Sequence, residues 1–405
     1  MSSHFVEHRS LSSRTVARVA FLNIPAQGHV NPTLPLTAEL VRLGESVIYF
    51  NTEEFRSKVE RTGAEFRAYG PALGIRPEHF LLRPTRLAPL LLEAGLRILP
   101  GLLEQLLRAQ IDYLVHDSVC PWGRFAAQIL QVPAVCSTST FAVKPELFPR
   151  PGLGGLPAAI ARDFSAHIRL RVAGFKLRKL YPATTGHGLY DVFSNPSGLN
   201  IVYTAREFQP RSELFDDSYH FVGPSLDETP QSEPLLAQVG DAPLIYISLG
   251  SLLAGRPEFY RAVTDALGGL SEKVLLTAED AGAVPPNFLV ARRVAQLAVL
   301  ARTRLAITHG GMNSVSEALV HGVPMLVLPH TSEQRLVAER VRDIGAGLVL
   351  PQHPSAEELR TGARKVLDDP KFQHAAAKMG EALRAAGGYR RAAAEILNYR
   401  VKCGR

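Results

Sequence analysis

Residues 307–334 read I-T-H-G-G-M-N-S-V-S-E-A-L-V-H-G-V-P-M-L-V-L-P-H-T-S-E-Q. An apolar strand over residues 305–308 leads into a histidine and two glycines at 309–311, and a helix is predicted to open at Asn313 and to end at Gly322. The first amides of a helix lack intrahelical partners and carry the positive end of its dipole, so a diphosphate can bind there. The two glycines let the backbone come close to such an anion.

The same order of strand, loop and helix recurs along the chain. Residues 16–24 are apolar and β-branched, and a loop and an amphipathic stretch follow them before the next strand at 46–50. Such repetition predicts an α/β fold with parallel, doubly wound sheets. Further strands are predicted at residues 113–115, 134–137, 200–204, 221–224, 243–249, 273–276, 305–308, 325–328 and 347–350, and a helix at 52–62.

Four polar side chains follow predicted strands in the two halves. Ligands of open α/β sheets bind beyond the carboxyl ends of the strands, which is where His29, Asp117, Ser251 and His309 fall. We therefore expect a cleft that faces these four residues.

The length of the chain indicates two domains. Its 405 residues are too many for one ordinary core and suit two domains of roughly 200 residues each. Residues 226–241 are rich in Pro, Ser, Glu and Asp without periodicity, which is typical of a linker. The predicted division is therefore 1–225 for the first domain and 242–388 for the second.

The charge balance is basic but dispersed. There are 45 Lys and Arg against 38 Asp and Glu, and no nucleic-acid partner is expected because the excess is spread along the chain. The densest run, at residues 167–181, alternates apolar and basic side chains. We expect a solvated helix face there; the alternative is contact with anionic lipid or with an acidic partner.

Cysteine usage and hydropathy bear on the compartment. Three cysteines without a C-x-x-C pair and without a preceding signal peptide favour the reducing cytoplasm. No apolar stretch reaches the roughly 18 residues that span a bilayer, so a soluble protein is expected.

Four segments together resemble the macrolide-type branch of the UDP-dependent glycosyltransferases, enzymes of the two-domain GT-B fold. They are the block at 309–334, G-H-V-N-P at 28–32, D-S-V-C-P-W-G at 117–123 and S-L-G-S at 248–251. The resemblance implies two Rossmann-like domains facing a central cleft, with a helix at 389–405 that crosses back to the first domain. It also implies a nucleotide-sugar donor as co-substrate, a lipophilic small-molecule acceptor and no separate cofactor.

Glycosyl transfer to an alcohol needs a base for the acceptor proton, and His is the usual base near neutral pH. His29 matches the catalytic histidine of this family, and Asp117 matches the carboxylate that orients it. Direct displacement then inverts the anomeric centre. The structural alternatives are local hydrogen bonds for His29 and a cap for the helix starting near Pro121 for Asp117.

The donor residues follow from the same resemblance. His309 resembles the residue that meets the α-phosphate, Gly311 lies in the glycine pair beside it, and Asn313 and Ser314 offer donors at the helix start. Ser251 is expected at the β-phosphate. The alternative is that these residues only end a strand and cap a helix. No D-x-D tripeptide or metal-ligand spacing occurs in the sequence, so the helix start is expected to replace a metal.

Glu317 has two competing interpretations. The resemblance assigns it to the ribose hydroxyls, but Ser314-Val-Ser-Glu317 is also a capping-box pattern, which would explain it structurally. Glu333 and Gln334 match the acidic-Gln pair that binds the sugar hydroxyls.

Two departures from the family pattern concern the donor. Where an aromatic residue usually stacks on the base, this chain has Arg293-Val294-Ala295-Gln296, and a guanidinium can also stack. Gln296 fits the pattern, although a surface role is equally consistent with it. His330 is the second departure. Trp122 is expected to line the pocket that binds the lipophilic acceptor.

The leading hypothesis is an inverting transferase that moves a hexose, with glucose expected, from UDP to a hydroxyl of a macrolide, flavonoid or other phenol. A transferase using a TDP-deoxysugar is a second hypothesis, suggested by the missing aromatic residue and by His330. A non-catalytic nucleotide-sugar sensor is a third, and the presence of both His29 and Asp117 counts against it. A sugar-nucleotide epimerase shares the architecture, but the His-Asp pair suits acceptor deprotonation better.

Overall fold

The structure is a computed structural model that describes residues 16–147, 163–227, 232–250 and 257–404. Within these ranges the chain forms two parallel β-sheets, each with helices packed on both faces. The predicted α/β class with two doubly wound sheets is therefore confirmed.

The first domain contains a seven-stranded sheet in the order β3-β2-β1-β4-β5-β6-β7 among its described residues. Its strands are β1 Arg18–Leu22, β2 Ser46–Asn51, β3 Glu65–Ala68, β4 Tyr113–Asp117, β5 Ala134–Thr138, β6 Leu199–Val202 and β7 Tyr219–Phe221. Its α-helices are α1 Gln27–Val30, α2 Thr33–Arg42, α3 Arg56–Glu60, α4 Pro84–Ala109, α5 Pro121–Leu130, α6 Phe164–Leu180 and α7 Leu189–Ser194. Short 3-10 turns lie at Glu53–Phe55, Pro71–Leu73, Pro77–Leu81, Pro145–Leu147 and Ser212–Leu214.

The second domain contains a six-stranded sheet in the order β10-β9-β8-β11-β12-β13 over the same described ranges. Its strands are β8 Leu244–Ser248, β9 Lys273–Thr277, β10 Phe288–Ala291, β11 Thr303–Thr308, β12 Met325–Val327 and β13 Gly347–Val349. The remaining α-helices are α8 Leu236–Val239, α9 Pro257–Leu267, α10 Gln296–Leu300, α11 Met312–Val320, α12 Ser332–Asp343, α13 Ala356–Asp368, α14 Pro370–Ala385 and α15 Gly388–Lys402.

Each sheet reverses its winding direction at one pair of strands. In the first sheet β1 lies between β2 and β4, and in the second β8 lies between β9 and β11. At such a switch point the connections leave in opposite directions and open a crevice at the carboxyl ends of the strands. His29 follows β1, Asp117 ends β4 and His309 follows β11, so the predicted polar residues lie at the two crevices.

The alternation of side chains along the strands builds a core on each face of each sheet. In β1, Ala20 and Leu22 join the core under α4 and α5, while Val19 and Phe21 join the core under α2. The apolar strands are thus buried on both faces of the sheet, as is typical of parallel sheets.

The last helix, α15, packs against α2 of the first domain. Ala392, Ala393 and Ile396 share a core with Leu36 and Leu40. Helix α15, which follows the second domain in the sequence, therefore packs on the first domain.

Beyond this apolar contact, the guanidinium of Arg400 in α15 pairs with the buried carboxylate of Glu45, which also accepts a hydrogen bond from the hydroxyl of Tyr113 at 2.9 Å.

Some elements differ from the sequence prediction. Strands β3 and β10 were not predicted, because they are sheet edges and their short sequences, E-F-R-A and F-L-V-A, carry little periodic signal. The helix predicted over residues 52–62 is a 3-10 turn followed by the five-residue α3. The stretch predicted as a linker contains the one-turn helix α8. None of the described helices is long and apolar enough to cross a bilayer.

Candidate active site

The one-turn helix α1, which carries His29, is held in place by the buried side-chain amide of Asn23. Asn23, directly after β1, donates from Nδ2 to the carbonyl oxygen of His29 at 3.0 Å and to the hydroxyl of Tyr49 at 2.9 Å. The Tyr49 hydroxyl is also 2.7 Å from the hydroxyl of Thr33. Because these partners are buried, the network fixes the backbone from which the imidazole projects.

The imidazole of His29 contacts the carboxylate of Asp117. Nδ1 of His29 lies 2.8 Å from Oδ2 of Asp117, and the two side chains are 14% and 1% exposed. Oδ1 of Asp117 accepts from the amide of Val119 at 2.7 Å. Asp117 therefore orients the histidine and closes a turn, and it does not cap α5, whose N-cap residue is Cys120.

Ser139 is a further neighbour of the imidazole that the sequence analysis did not identify. Its hydroxyl oxygen lies 2.9 Å from Nδ1 of His29, and the residue is buried just after β5. Since β5 pairs with β4, the ends of these strands bring Ser139 beside Asp117. The rule that found His29 and Asp117, polar residues at the carboxyl ends of strands, applied to β5 would also have found Ser139.

The surroundings of His29 change its pKa in two opposing ways. Burial on its own lowers the pKa of His29, but the charge and hydrogen bond of Asp117, aided by the charge of Glu333, raise it above 6.5 overall. The carboxylate favours a proton on Nδ1, so Nε2 keeps its lone pair. A neutral His29 can accept a proton on that nitrogen.

In the second domain the ring of His309 lies between two glycines. A Cβ atom on Gly250 would lie 2.8 Å from Cε1 of His309, and one on Gly311 would lie 2.6 Å from its Nε2. Only glycine leaves room for the ring at these two positions. Gly311 has φ −64°, so its role here is close approach rather than a left-handed backbone.

His309 is held neutral. Burial, followed by the charge of His330, lowers the pKa of His309 to about 4. Its Nδ1 is buried and makes no hydrogen bond of ordinary geometry to the parts of the chain that the structure describes. The backbone of Ser248 makes a hydrogen bond to this ring that partly offsets the lowering of its pKa, so the geometry at Nδ1 does not by itself identify a ligand.

Helix α11 begins beside this ring and has no side chain capping its first turn. It starts at Met312, one residue earlier than predicted, with Gly311 as N-cap, and it ends before Gly322, whose φ is +68°. Its first amides are therefore available to an anion. The alternative that Asn313 and Ser314 cap the helix is wrong, because both lie inside its first turn.

Asn313 connects the two halves of the site. Its Nδ2 donates to the carbonyl oxygen of Gly28 at 3.0 Å, across the boundary between the domains. Gly28 precedes His29, so the start of α11 and the segment that carries His29 are held together. Ser314 lines a small cavity with Tyr246, Ser248, Gln296 and Thr308.

Glu317 is paired with Gln296 and does not form a capping box. Its Oε2 accepts from Nε2 of Gln296 at 2.5 Å, and Oε1 of Gln296 accepts from the hydroxyl of Tyr246 at 3.0 Å. The structural alternative for Glu317 is wrong because Ser314 lies within α11 rather than at its N-cap. Burial raises the pKa of Glu317 to about 7, against a smaller lowering by Gln296.

Gln334, predicted to bind the sugar, takes part in the capping box of α12. Its side-chain oxygen Oε1 accepts from the backbone N–H of Thr331 at 3.2 Å, and its own backbone N–H donates to the hydroxyl of Thr331 at 3.2 Å. Oε1 also accepts from the amide of His330 at 2.8 Å. The side-chain NH₂ is the group that remains for a ligand. Glu333 is exposed in the first turn of α12 and close enough to influence His29.

The remaining predicted residues have varied positions. Arg293 is exposed, and its charge acts on Lys58 of the first domain, while Val294 is half-buried against the second core. Ser251 lies outside the described residues. Trp122 is fully buried in the first core, edge-on to Tyr69. This position does not support acceptor contact, because the indole has no exposed surface in this conformation.

No group of three or more His, Cys, Asp or Glu side chains that could hold a metal ion occurs in the described part of the chain.

Comparisons with known proteins agree with this architecture. Residues 261–391 match the family described as erythromycin biosynthesis protein CIII-like, C-terminal domain. The chain is 37% identical over 390 residues to NDP-glycosyltransferase YjiC of Bacillus subtilis (strain 168), covering 93% of this chain and 96% of that protein. It is 31% identical to demethyllactenocin mycarosyltransferase of Streptomyces fradiae, over 92% of this chain and 84% of that one.

Among solved structures, the calicheamicin glycosyltransferase CalG4 superposes with a TM-score of 0.78 at 26% identity, covering 95% of this chain and 98% of its own. With this coverage, the likeness extends through both domains. The chain therefore belongs to the macrolide-type family of glycosyltransferases and has their GT-B fold.

Proposed function

We propose that this glycosyltransferase moves a hexose, glucose in the leading case, from UDP to a hydroxyl of a lipophilic small molecule with inversion at the anomeric carbon. The observation that supports this most strongly is the contact between His29 and Asp117 at the switch point of the first sheet. It gives the chain a base whose second ring nitrogen is available for an acceptor.

In the proposed reaction Nε2 of His29 takes the proton of the acceptor hydroxyl. The acceptor oxygen forms a bond to the anomeric carbon while the bond from that carbon to the β-phosphate oxygen breaks, and the nucleoside diphosphate leaves with the electron pair. Asp117 stabilises the imidazolium that forms, because its carboxylate lies 2.8 Å from Nδ1. The proton stays on His29 until solvent removes it.

The departing diphosphate would lie at the start of α11. The uncapped amides of this helix and the neutral imidazole of His309 offer hydrogen-bond donors to the phosphates. This arrangement places partial positive charge where negative charge develops, so we propose that transfer needs no metal ion. Glu317 would accept from the ribose hydroxyls, and Glu333 with the NH₂ of Gln334 would contact the sugar.

A TDP-deoxysugar donor is the second candidate. Arg293 stands where the family has an aromatic residue, and one relative is named a mycarosyltransferase. Competition between UDP and TDP for the purified chain, measured by calorimetry, distinguishes the two donors: the proposal expects UDP to bind at least about tenfold more tightly.

The test of the reaction is a turnover assay with UDP-glucose and a phenolic acceptor. We expect UDP release, a β-glucoside identified by NMR from the α-configured donor, and a loss of about a thousandfold in kcat for His29→Ala. The matched control is His374→Ala, an exposed histidine of α14, which should keep full activity. Full turnover in His29→Ala would show that the base assignment is wrong, and UDP-glucose binding without any product would favour a sensor.

A further inference from the structure

Helix α6 has apolar residues on two opposite faces. Ala166, Leu170, Ala173 and Leu177 face inward and pack against the first core beside α4. A helix on the surface of a globular protein normally presents polar side chains on the face opposite to its buried one. In α6 that outer face is not polar.

The outer face carries a row of large apolar side chains. Phe164, Ile168, Val172 and Phe175 are 58%, 47%, 47% and 65% exposed. Their spacings of four, four and three residues place them on one stripe along the helix, about half a turn away from the buried residues. The helix face predicted to be solvated at residues 167–181 is exposed, and much of it is apolar.

Cationic side chains border this stripe on both sides. Arg171 and Arg178 lie along one edge, Lys176 lies along the other, and Lys179 lies at its carboxyl-terminal end, all exposed and without a carboxylate partner in the described ranges. The helix itself, F-S-A-H-I-R-L-R-V-A-G-F-K-L-R-K-L, contains no Asp or Glu.

The one basic residue of α6 that is paired points elsewhere. Arg169 forms a bidentate ion pair with Glu93 of α4, with distances of 2.9 and 2.6 Å, so it anchors the helix to the domain. The other four cations are free to meet an external anion. Arg169 is itself exposed, so its ion pair with Glu93, and not burial, distinguishes it from the other four cations.

We propose that the outer face of α6 docks onto the surface of a membrane that contains anionic lipid. The apolar stripe would enter the boundary between headgroups and acyl chains, while the flanking Lys and Arg side chains meet lipid phosphates or carboxylates. Cations on both borders of the apolar stripe suit this interface, because anionic headgroups would surround the apolar side chains that enter the membrane surface. The inference does not depend on the proposed donor or acceptor.

The experiment is co-sedimentation of the full chain with vesicles made of equal parts of phosphatidylcholine and phosphatidylserine. We expect binding to these vesicles and little binding to phosphatidylcholine alone, because the four cations need anionic headgroups. Binding should weaken as salt is raised, since exposed charges are screened.

Matched substitutions distinguish vesicle binding by the apolar stripe of α6 from non-specific binding by the rest of the surface. Ile168→Ser with Phe175→Ser should weaken vesicle binding about tenfold or more, because both apolar groups leave the interface. Val401→Ser, which removes a side chain that is 65% exposed on α15, should have no effect. Lys176→Glu should weaken binding about fivefold, whereas Lys371→Glu on the exposed start of α14 should not.

Glycosyl transfer in solution serves as the folding check, because all five substituted positions are exposed and distant in sequence from the catalytic loops. The proposal is overturned if the chain does not sediment with anionic vesicles, or if Val401→Ser and Lys371→Glu weaken binding as much as the α6 variants. It is also overturned if light scattering shows a dimer that Ile168→Ser with Phe175→Ser dissociates while no vesicle binding occurs, since the stripe would then be covered by a second copy.

Discussion

The two domains each place a histidine just after a strand at the switch point of a parallel sheet, and the two histidines have opposite properties. His29 lies 2.8 Å from the carboxylate of Asp117, and its pKa is raised above 6.5. His309 lies between Gly250 and Gly311 near His330, and its pKa is lowered to about 4.

The contrast shows that the same position in the fold acquires its role from its neighbours. Both rings are largely buried, and burial alone lowers the pKa of each. The difference is the carboxylate of Asp117, which raises the pKa of His29, and the charge of His330, which lowers the pKa of His309 further. A ring paired with Asp117 can take a proton, whereas a neutral ring beside uncapped helix amides can only donate to or accept from a ligand.

The largest expected effect comes from removing the carboxylate that distinguishes the two rings. In Asp117→Asn the side-chain NH₂ faces Nδ1 of His29, so the proton moves to Nε2 and the acceptor loses its base. We expect kcat/KM to fall about a thousandfold. The acid limb of its pH profile should also move to lower pH, since activity requires neutral His29 and the lost charge lowers its pKa.

The control for this change is Asp343→Asn at the exposed end of α12, which should leave the profile unchanged. A loss of less than tenfold in Asp117→Asn, with the acid limb in place, would contradict the role of the carboxylate.

The next effect concerns the glycines around His309. Gly311→Ala keeps an ordinary φ of −64° but would place Cβ 2.6 Å from Nε2 of the ring, so the imidazole must shift. We expect the Kd for UDP to rise about ten- to a hundredfold with little change in the pH profile, because the base is untouched. Calorimetric titration with UDP measures it.

Gly269→Ala is the matched control, because a Cβ there meets no atom within 4 Å. Unchanged UDP affinity in Gly311→Ala would mean that the position of the His309 ring does not matter to the donor.

Sequence patterns located both His29 and His309 because the carboxyl ends of parallel strands lie at one edge of a sheet. A polar residue that follows an apolar run is therefore a candidate for the binding crevice at that edge. The patterns did not resolve how helices begin. The pattern S-V-S-E at residues 314–317 suggested a cap for Glu317, yet the helix starts earlier and the carboxylate faces Gln296. The family resemblance assigned Glu333 and Gln334 to the sugar hydroxyls, and the structure shows that Gln334 also forms a capping box with Thr331. The N-cap of α11 is Gly311 rather than Ser314, and such a shift, which sequence patterns rarely fix, decides between the two roles of Glu317.

Other features depend on contacts that no local pattern contains. The bond from Asn313 to Gly28 joins residues 285 positions apart and requires the arrangement of the domains. The burial of Trp122 depends on α4 covering it, so the sequence could not separate a core residue from a pocket residue. The outer face of α6 was ambiguous for the same reason, since only packing shows which apolar residues face inward.

A smaller effect is expected from Glu317→Gln, which should raise the stability of the fold at pH 8 and lower the affinity for UDP. The pKa of this carboxyl is raised from 4.5 to about 7, so the folded state loses stability as the pH rises from 4.5 to 7. Glu317→Gln removes that cost and should stabilise the chain by about 1 to 3 kcal/mol at pH 8, with no gain below pH 4.5.

The same variant should bind UDP about tenfold more weakly, because the ribose loses a charged acceptor. Thermal unfolding at both pH values, together with UDP titration, tests this pair of expectations. A loss of stability at pH 8 with unchanged UDP affinity would indicate a structural role for Glu317.

The smallest effect concerns Ser139, which refines the environment of His29. Ser139→Ala removes one of two oxygens near Nδ1 but leaves Asp117 in place. We expect kcat to fall about threefold to tenfold at unchanged KM for the donor, with the restoring variant Ser139→Thr closer to the original. Steady-state kinetics measures this, and a change in donor KM alone would contradict a positioning role.

The most direct test of the contrast between the two rings is an NMR titration of His29 and His309 in one sample, with Asp117→Asn titrated beside it. We expect a pKa above 6.5 for His29 and near 4 for His309, and only the pKa of His29 should fall in Asp117→Asn. If His29 titrates below 6.5, or if both rings respond alike to the loss of the carboxylate, then the division into one basic and one neutral histidine is wrong.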